Sequence, residues 1–200
     1  GYMLQGFRNT LLLTFAAAAI GLVLGFTVAI VKISAQVNKY MKIPALLCNI
    51  YTTVFRGTPV ALQLFIMVFA VFAIPGFKPY AGINSGAYVT ENIRAGISSV
   101  DPGQMEAGRA LGLSWRCTML RVILPQAVKN IIPAIGNEMI ALLKETAVAG
   151  YVAVQDLTRA GNLIRNNTYD SFNPLMLVAV VYLVLVIGMT QLLGLLERRL

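Results

Sequence analysis

Two long apolar runs limit this chain more than any other feature. Leu11 to Val31 and Leu175 to Leu196 contain no Asp, Glu, Lys or Arg. A membrane-spanning helix needs about 20 predominantly apolar residues, and both runs exceed the apolar stretch of about 7 to 15 residues found in signal peptides. With 58% hydrophobic and only 12% charged residues overall, an ordinary soluble domain is excluded and membrane lipid becomes the solvent to reason with. The sequence opens at Gly1 and not at a methionine, which leaves open whether residues precede it.

The formal net charge of +8 suggests acidic partners until the positions of the charges are read. Lys32, Lys39 and Lys42 follow the first run, Arg116, Arg121 and Lys129 cluster mid-chain, and Arg198 and Arg199 follow the last run. Basic residues gather on the cytoplasmic side of membrane proteins. That bias predicts a single all-α membrane domain over 1–200 of about five spans, near 11–31, 57–74, 86–100, 126–145 and 175–195. The N-terminus then lies outside, the C-terminus inside, and no nucleic-acid partner is implied. Arg8, Lys78, Arg159 and Arg165 fall outside, so the partition is a bias. Cys48 and Cys117 are isolated and read as reduced, small fillers, with no metal site.

Several polar features stand out against this background. Residues 44–56 read as an interfacial helix ending before the Gly57-Thr58-Pro59 breaker. Glu91 and Arg94, three residues apart in the third span, share a helix face and predict an internal ion pair. Asp101, Pro102 and Gln104 have the spacing of a helix start with a capping box, and Gly112 can stop that helix. A second short helix is expected from Ser114 to Pro125, where the fourth span begins. Pro133 and Gly136 are expected to interrupt that span. Glu138 lies thirteen residues beyond Pro125, about 20 Å at the helical rise, deep inside the hydrocarbon layer. Lys144 and Glu145 are expected at the outer edge, their charges reaching the interface.

The run Glu106 to Pro125, EAGRALGLSWRCTMLRVILP, resembles the cytoplasmic signature of bacterial ABC importer permeases: Glu-Ala-Ala, three residues, Gly, nine residues, Ile, one residue, Leu-Pro. Glu106, Ala107, Gly112, Leu124 and Pro125 match, while Gly108 replaces the second alanine and Val122 the isoleucine. The chain further resembles the polar amino acid uptake branch of that family. The resemblance is carried by FRGTPVALQLF at 55–65, AYVTENIRAGISSVDPGQMEAGRALG at 87–112, LPQAVKNIIPAIGNEMIALLKETA at 124–147, DLTRAG at 156–161 and the terminal LERRL. Thr146-Ala147 stands where Thr-Ser is usual and Asp156 where Glu is usual, two departures with a bearing on substrate choice.

The resemblance implies a type I importer in a bacterial cytoplasmic (inner) membrane. Its partners would be a cytoplasmic ATP-binding subunit, a second permease subunit, identical or related, and an extracytoplasmic substrate-binding protein. ATP and Mg would be bound by the partner ATPase, with no cofactor in this chain. The helix after Asp101 would be a coupling helix, with Glu106 as polar anchor, Ala107 and Gly108 allowing close approach of the ATPase, and Gly112 the turn back toward the membrane. Independently, no Gly-x-x-x-x-Gly-Lys-[Ser/Thr] loop is present and the chain has no histidine, so neither ATP hydrolysis nor the usual intramembrane enzyme chemistry is expected of it. The expected cargo is a basic amino acid: arginine, lysine or histidine. Glu138 and Asn137 are the expected substrate contacts, with Gln63 orienting the amino acid backbone. The alternative is an ion-coupled secondary transporter or channel, which broken helices and a mid-depth acid would also suit.

Overall fold

The computed structural model describes residues 1–66, 80–152 and 154–199; the side chains of residues 80, 81 and 152 are not described. The second half of the expected 57–74 span and Lys78 lie outside the described residues. Among the described residues every regular element is helical, as expected of an all-α membrane domain. The helices are α1 Tyr2–Ser34, α2 Lys42–Gly57, α3 Val60–Ile66, α4 Tyr80–Ser98, α5 Pro102–Ala110, α6 Trp115–Thr118, α7 Leu124–Ala149, α8 Leu157–Thr168 and α9 Asn173–Glu197. The two apolar runs form α1 and α9, whose mean hydropathy reaches 2.4 and 2.5.

The centre is built where α1 and α4 run side by side in the same direction. Gly21 and Gly25 on α1 and Gly82 and Gly86 on α4 repeat at a spacing of four, so each pair lines one face of its helix. A Cβ at Gly21 would fall 2.5 Å from Ser85 Oγ, and one at Gly82 would fall 2.5 Å from Ile20 Cβ; Gly25 lies directly against Val89. Small residues let two backbones approach closely where apolar surface alone gives little driving force, lipid being as apolar as the helix. Thr90 Oγ1 then donates across the seam to Gly25 O at 3.3 Å. Replacing Gly25 with valine is expected to cost about 1–3 kcal/mol through overpacking, visible as a lower thermal midpoint of the detergent-purified protein. The same change at Gly188, where nothing lies within 4 Å, should leave the midpoint near that of the parent.

The antiparallel α7 packs on this pair. Ile131 covers Gly96, Asn130 Nδ2 donates to Ser99 Oγ at 2.7 Å, and Ala127 and Ile131 join Ala29, Val89 and Ile93 in one buried cluster. The expected break at Pro133 and Gly136 is not present: α7 continues unbroken from Leu124 to Ala149 with Pro133 inside it. The proline removes only one helix N–H, and Gly136 is where Leu193 of α9 seats, so the glycine serves a helix contact and not a bend.

The separate helix expected up to Pro125 is also corrected. α6 passes into a π-helical turn, Met119–Ile123, that leads straight into α7. Pro125 has no N–H to return to Arg121 O, and a π turn is one way to absorb a missing rung.

α2 exposes Ile43, Leu46, Leu47, Ile50 and Val54 and buries Ala45 and Thr52, so one apolar stripe faces away from the rest of the chain. At the other end, Asp156 is fully buried and accepts from Arg159 N at 2.8 Å and Thr158 N at 3.2 Å to cap α8. Burial pushes its carboxyl up, opposed by those two N–H donors. The Asp156 departure thus has a structural task at the start of α8.

Candidate functional site

Three polar centres lie along the buried faces of α4 and α7. The first surrounds Glu91. It was expected to pair with Arg94, and Arg94 Nε does donate to Glu91 Oε2 at 2.6 Å. A second partner comes from α1: Lys32 Nζ donates to Glu91 Oε1 at 2.5 Å and to Thr52 Oγ1 at 3.3 Å. Arg56 of α2 stands 3.8 Å from Oε2, its guanidinium 5.6 Å over the Tyr88 ring. Three cations on three helices therefore share one carboxylate. They line a cleft of about 690 Å³.

The second centre is Glu138. It is half-buried on α7, and among the described residues it closes no ion pair. Its carboxylate stands beside Ser85 of α4 and is within electrostatic reach of Arg56 and Glu145. Asn137 points to the exposed side of α7, so the structure does not bring Asn137 and Glu138 to one side chain pocket within this chain.

The third centre is a cavity of about 50 Å³ between α1, α2, α3, α4 and α7, walled mostly by apolar side chains. Gln63 and Glu145 reach it, together with Asn84 and Thr146. Here the expectation for Glu145 fails: it is half-buried and faces the cavity, while Lys144 alone is exposed. Gln63 lines this cavity and not the Glu138 centre. Asn84 and Ser85 were passed over in the sequence, where Lys32 was taken only as a topological charge and Glu145 as an edge residue; the Asn84-Ser85 dipeptide, polar at the head of an apolar span, was the signal available.

The helix pair at the other end of α4 is closed by its caps. Asp101 Oδ1 accepts from Gly103 N at 2.8 Å, whereas the Gln104 side chain makes no return bond among the described residues. Leu113 N donates to Gly108 O at 3.1 Å and Gly112 N to Arg109 O at 3.0 Å, with Gly112 at φ +82°. That pattern is a Schellman stop, whose left-handed residue favours glycine. Glu106 and Ala107 are exposed on α5. Gly108 is not: it is buried against the Thr118 side chain, so the close approach it permits is between α5 and α6.

Known proteins resemble the chain along its whole length. The family of binding-protein-dependent transport system inner membrane components matches over residues 21–200. The arginine transport system permease protein ArtQ of Bacillus subtilis is 39% identical, covering 100% of this chain and 92% of its own length. A putative glutamine transport system permease protein GlnP of Rickettsia conorii is 38% identical, covering 99% of this chain and 92% of its own. Among solved structures, an amino acid ABC transporter crystallised with histidines matches with a TM-score of 0.90 and 41% identity, covering 100% of this chain and 94% of that one.

Proposed function

The chain belongs to the binding-protein-dependent transport system inner membrane components, as an amino acid ABC transporter permease, and from that premise we propose that it carries basic L-amino acids, arginine foremost. The observation that carries this reading is Glu138. A carboxylate at membrane depth is costly without a counter-charge, and the Arg56 guanidinium that reaches it electrostatically is already placed against Glu91 and Tyr88. An arriving guanidinium or ammonium would supply the missing partner, a guanidinium through two parallel hydrogen bonds. The arginine permease among the relatives agrees with this; the glutamine permeases supply the competing cargo.

In this reading the family's ATPase and binding-protein partners act on opposite faces. α5 seats in the ATPase with Glu106 and Ala107 outward, and ATP and Mg are held by that subunit. A second permease subunit completes the path, the N-terminus lies outside and the C-terminus lies in the cytoplasm. Asn137, on the exposed face of α7, is then placed to meet substrate from the side of the second subunit. Within this family, the ion-coupled carrier or channel is set aside.

Glu138→Gln keeps size and hydrogen bonding but removes the charge. Arginine uptake into proteoliposomes is expected to fall about tenfold to a hundredfold, the worth of one charge-assisted hydrogen-bonded contact, with ATPase recruitment retained. Uptake equal to that of the parent, or a parent that prefers glutamine, overturns the basic-substrate reading.

A further inference from the structure

In the cleft of about 690 Å³, Lys32, Arg56 and Arg94 meet a single carboxylate, so among the described residues two positive charges there go uncompensated. Hydrogen-bond donors are also left over. Arg94 uses Nε on Glu91 Oε2, and both terminal nitrogens of its fork have no acceptor among the described residues. Arg56 Nη1 stands 3.8 Å from Glu91 Oε2, beyond hydrogen-bond distance, with its guanidinium over the Tyr88 ring. Both arginines line the cleft and are half exposed, and Asn49 and Thr53 of α2 add polar side chains to its wall. A smaller cleft of about 270 Å³ shares Lys32, Asn49 and Arg94 and reaches Gln36, beyond the end of α1. The polar opening thus runs out to the helix end that Lys32, Lys39 and Lys42 mark.

Surplus cations at membrane depth call for an anion, and guanidinium groups match a phosphate through paired hydrogen bonds. The surroundings decide between a free phosphate and one carried by a lipid. Ile50 and Val54 follow Asn49 and Thr53 by one residue each, about 100° round α2, and with Ile43, Leu46 and Leu47 they form the exposed apolar stripe. A headgroup in the cleft would therefore have its acyl chains beside an apolar face. Basic pockets between spanning helices suit acidic headgroups. We propose that this cleft binds the phosphate of an acidic phospholipid such as phosphatidylglycerol, with Arg56 and Arg94 holding the phosphate and the more buried Lys32 neutralising Glu91. A bound phosphate would bridge α2 to α4. The site is separate from Glu138 and Glu145, neither of which lines the cleft, and it does not depend on which amino acid is carried.

The test is native mass spectrometry of the detergent-purified permease–ATPase complex titrated with dioctanoyl-phosphatidylglycerol, with dioctanoyl-phosphatidylcholine and inorganic phosphate as the other probes. Phosphatidylglycerol is expected to bind the parent about tenfold or more tightly than phosphatidylcholine. Arg56→Gln and Arg94→Gln should each weaken it about fivefold and the double variant about twenty-five-fold, while phosphatidylcholine binding stays as in the parent. Arg94→Lys, which keeps the charge, should restore most of the affinity. Arg198→Gln removes an exposed cation that lines neither cleft and should bind as the parent does. Equal binding of the two lipids by the parent, or phosphatidylglycerol affinity unchanged in the double variant, overturns the site. So does a loss in Arg198→Gln equal to that in Arg94→Gln, which would mark diffuse surface charge. A loss of both lipids alike in the double variant would mark a structural role for the arginines and overturn the site as well. Inorganic phosphate that displaces phosphatidylglycerol at equal concentration would assign the cleft to free phosphate and overturn the lipid.

Discussion

Replacing Glu91 with glutamine is expected to cost about 3–5 kcal/mol of folding stability, the loss typical when one partner of a buried ion pair is removed. The size follows from what remains. Lys32 is only 13% exposed at its side chain, and without Glu91 its ammonium keeps a single neutral contact, Thr52 Oγ1. Lys32→Met should also be harmful, because Glu91 then keeps only the more exposed Arg94 and Arg56 as partners. Arg94 differs: its side chain is 54% exposed, so water screens the pair and Arg94→Ala should cost no more than about 1 kcal/mol. The double change Lys32→Met with Glu91→Leu should recover much of the loss, since apolar replacements of a buried pair are often neutral. Thermal midpoints and detergent-extracted yields of the four variants check the order. Equal losses for Arg94→Ala and Lys32→Met would show that Lys32 is not the principal partner.

The second large effect is expected at the α5–α6 helix pair. Gly112 at φ +82° admits a β-branched residue only at a cost of about 1–2 kcal/mol, and Gly112→Val would pull the Schellman bonds to Gly108 O and Arg109 O out of line. α5 would then lose its fixed angle to α6 while both spans stay intact. With Glu106→Lys the backbone is undisturbed but the exposed charge on α5 is reversed. Both variants should reach the membrane at parental levels and lose substrate-stimulated ATP hydrolysis about tenfold or more, each tenfold corresponding to about 1.4 kcal/mol. Parental coupling in proteoliposomes for both variants would remove the coupling role from α5.

Asp101, Gly112 and Ser114 were legible because each acts through bonds to residues two or three away, which a linear reading contains. Glu91 and Arg94 were legible for the same reason. Lys32, 59 positions from Glu91, was read only as a topological charge, because nothing local says that its side chain turns inward. Pro133 and Gly136 were misread as a break for a related cause: helix propensity weighs Gly136 without Leu193, which lies on another helix and fills its place. Glu145 was assigned to the interface by counting residues from Pro125. Counting gives depth but not azimuth, and azimuth decides that Glu145 faces the cavity while Lys144 faces out. Gly21, Gly25, Gly82 and Gly86 show their spacing openly; what the sequence withholds is that the two pairs belong to one another.

The wide turn at Met119–Ile123 acts on this azimuth. A π turn takes in one residue more than an α turn, so everything after it is rotated by about 100° relative to an uninterrupted helix. That offset enters the angle that Glu138 and Glu145 make with the helix pair before the turn. The turn is a phase adjuster between the α5–α6 pair and the rest of α7: a one-residue insertion or deletion upstream of Met119 should be absorbed by widening or tightening it, whereas the same change between Leu124 and Glu138 should turn both carboxylates to another face. Length variation among related chains should therefore be tolerated on one side of this turn and purged on the other.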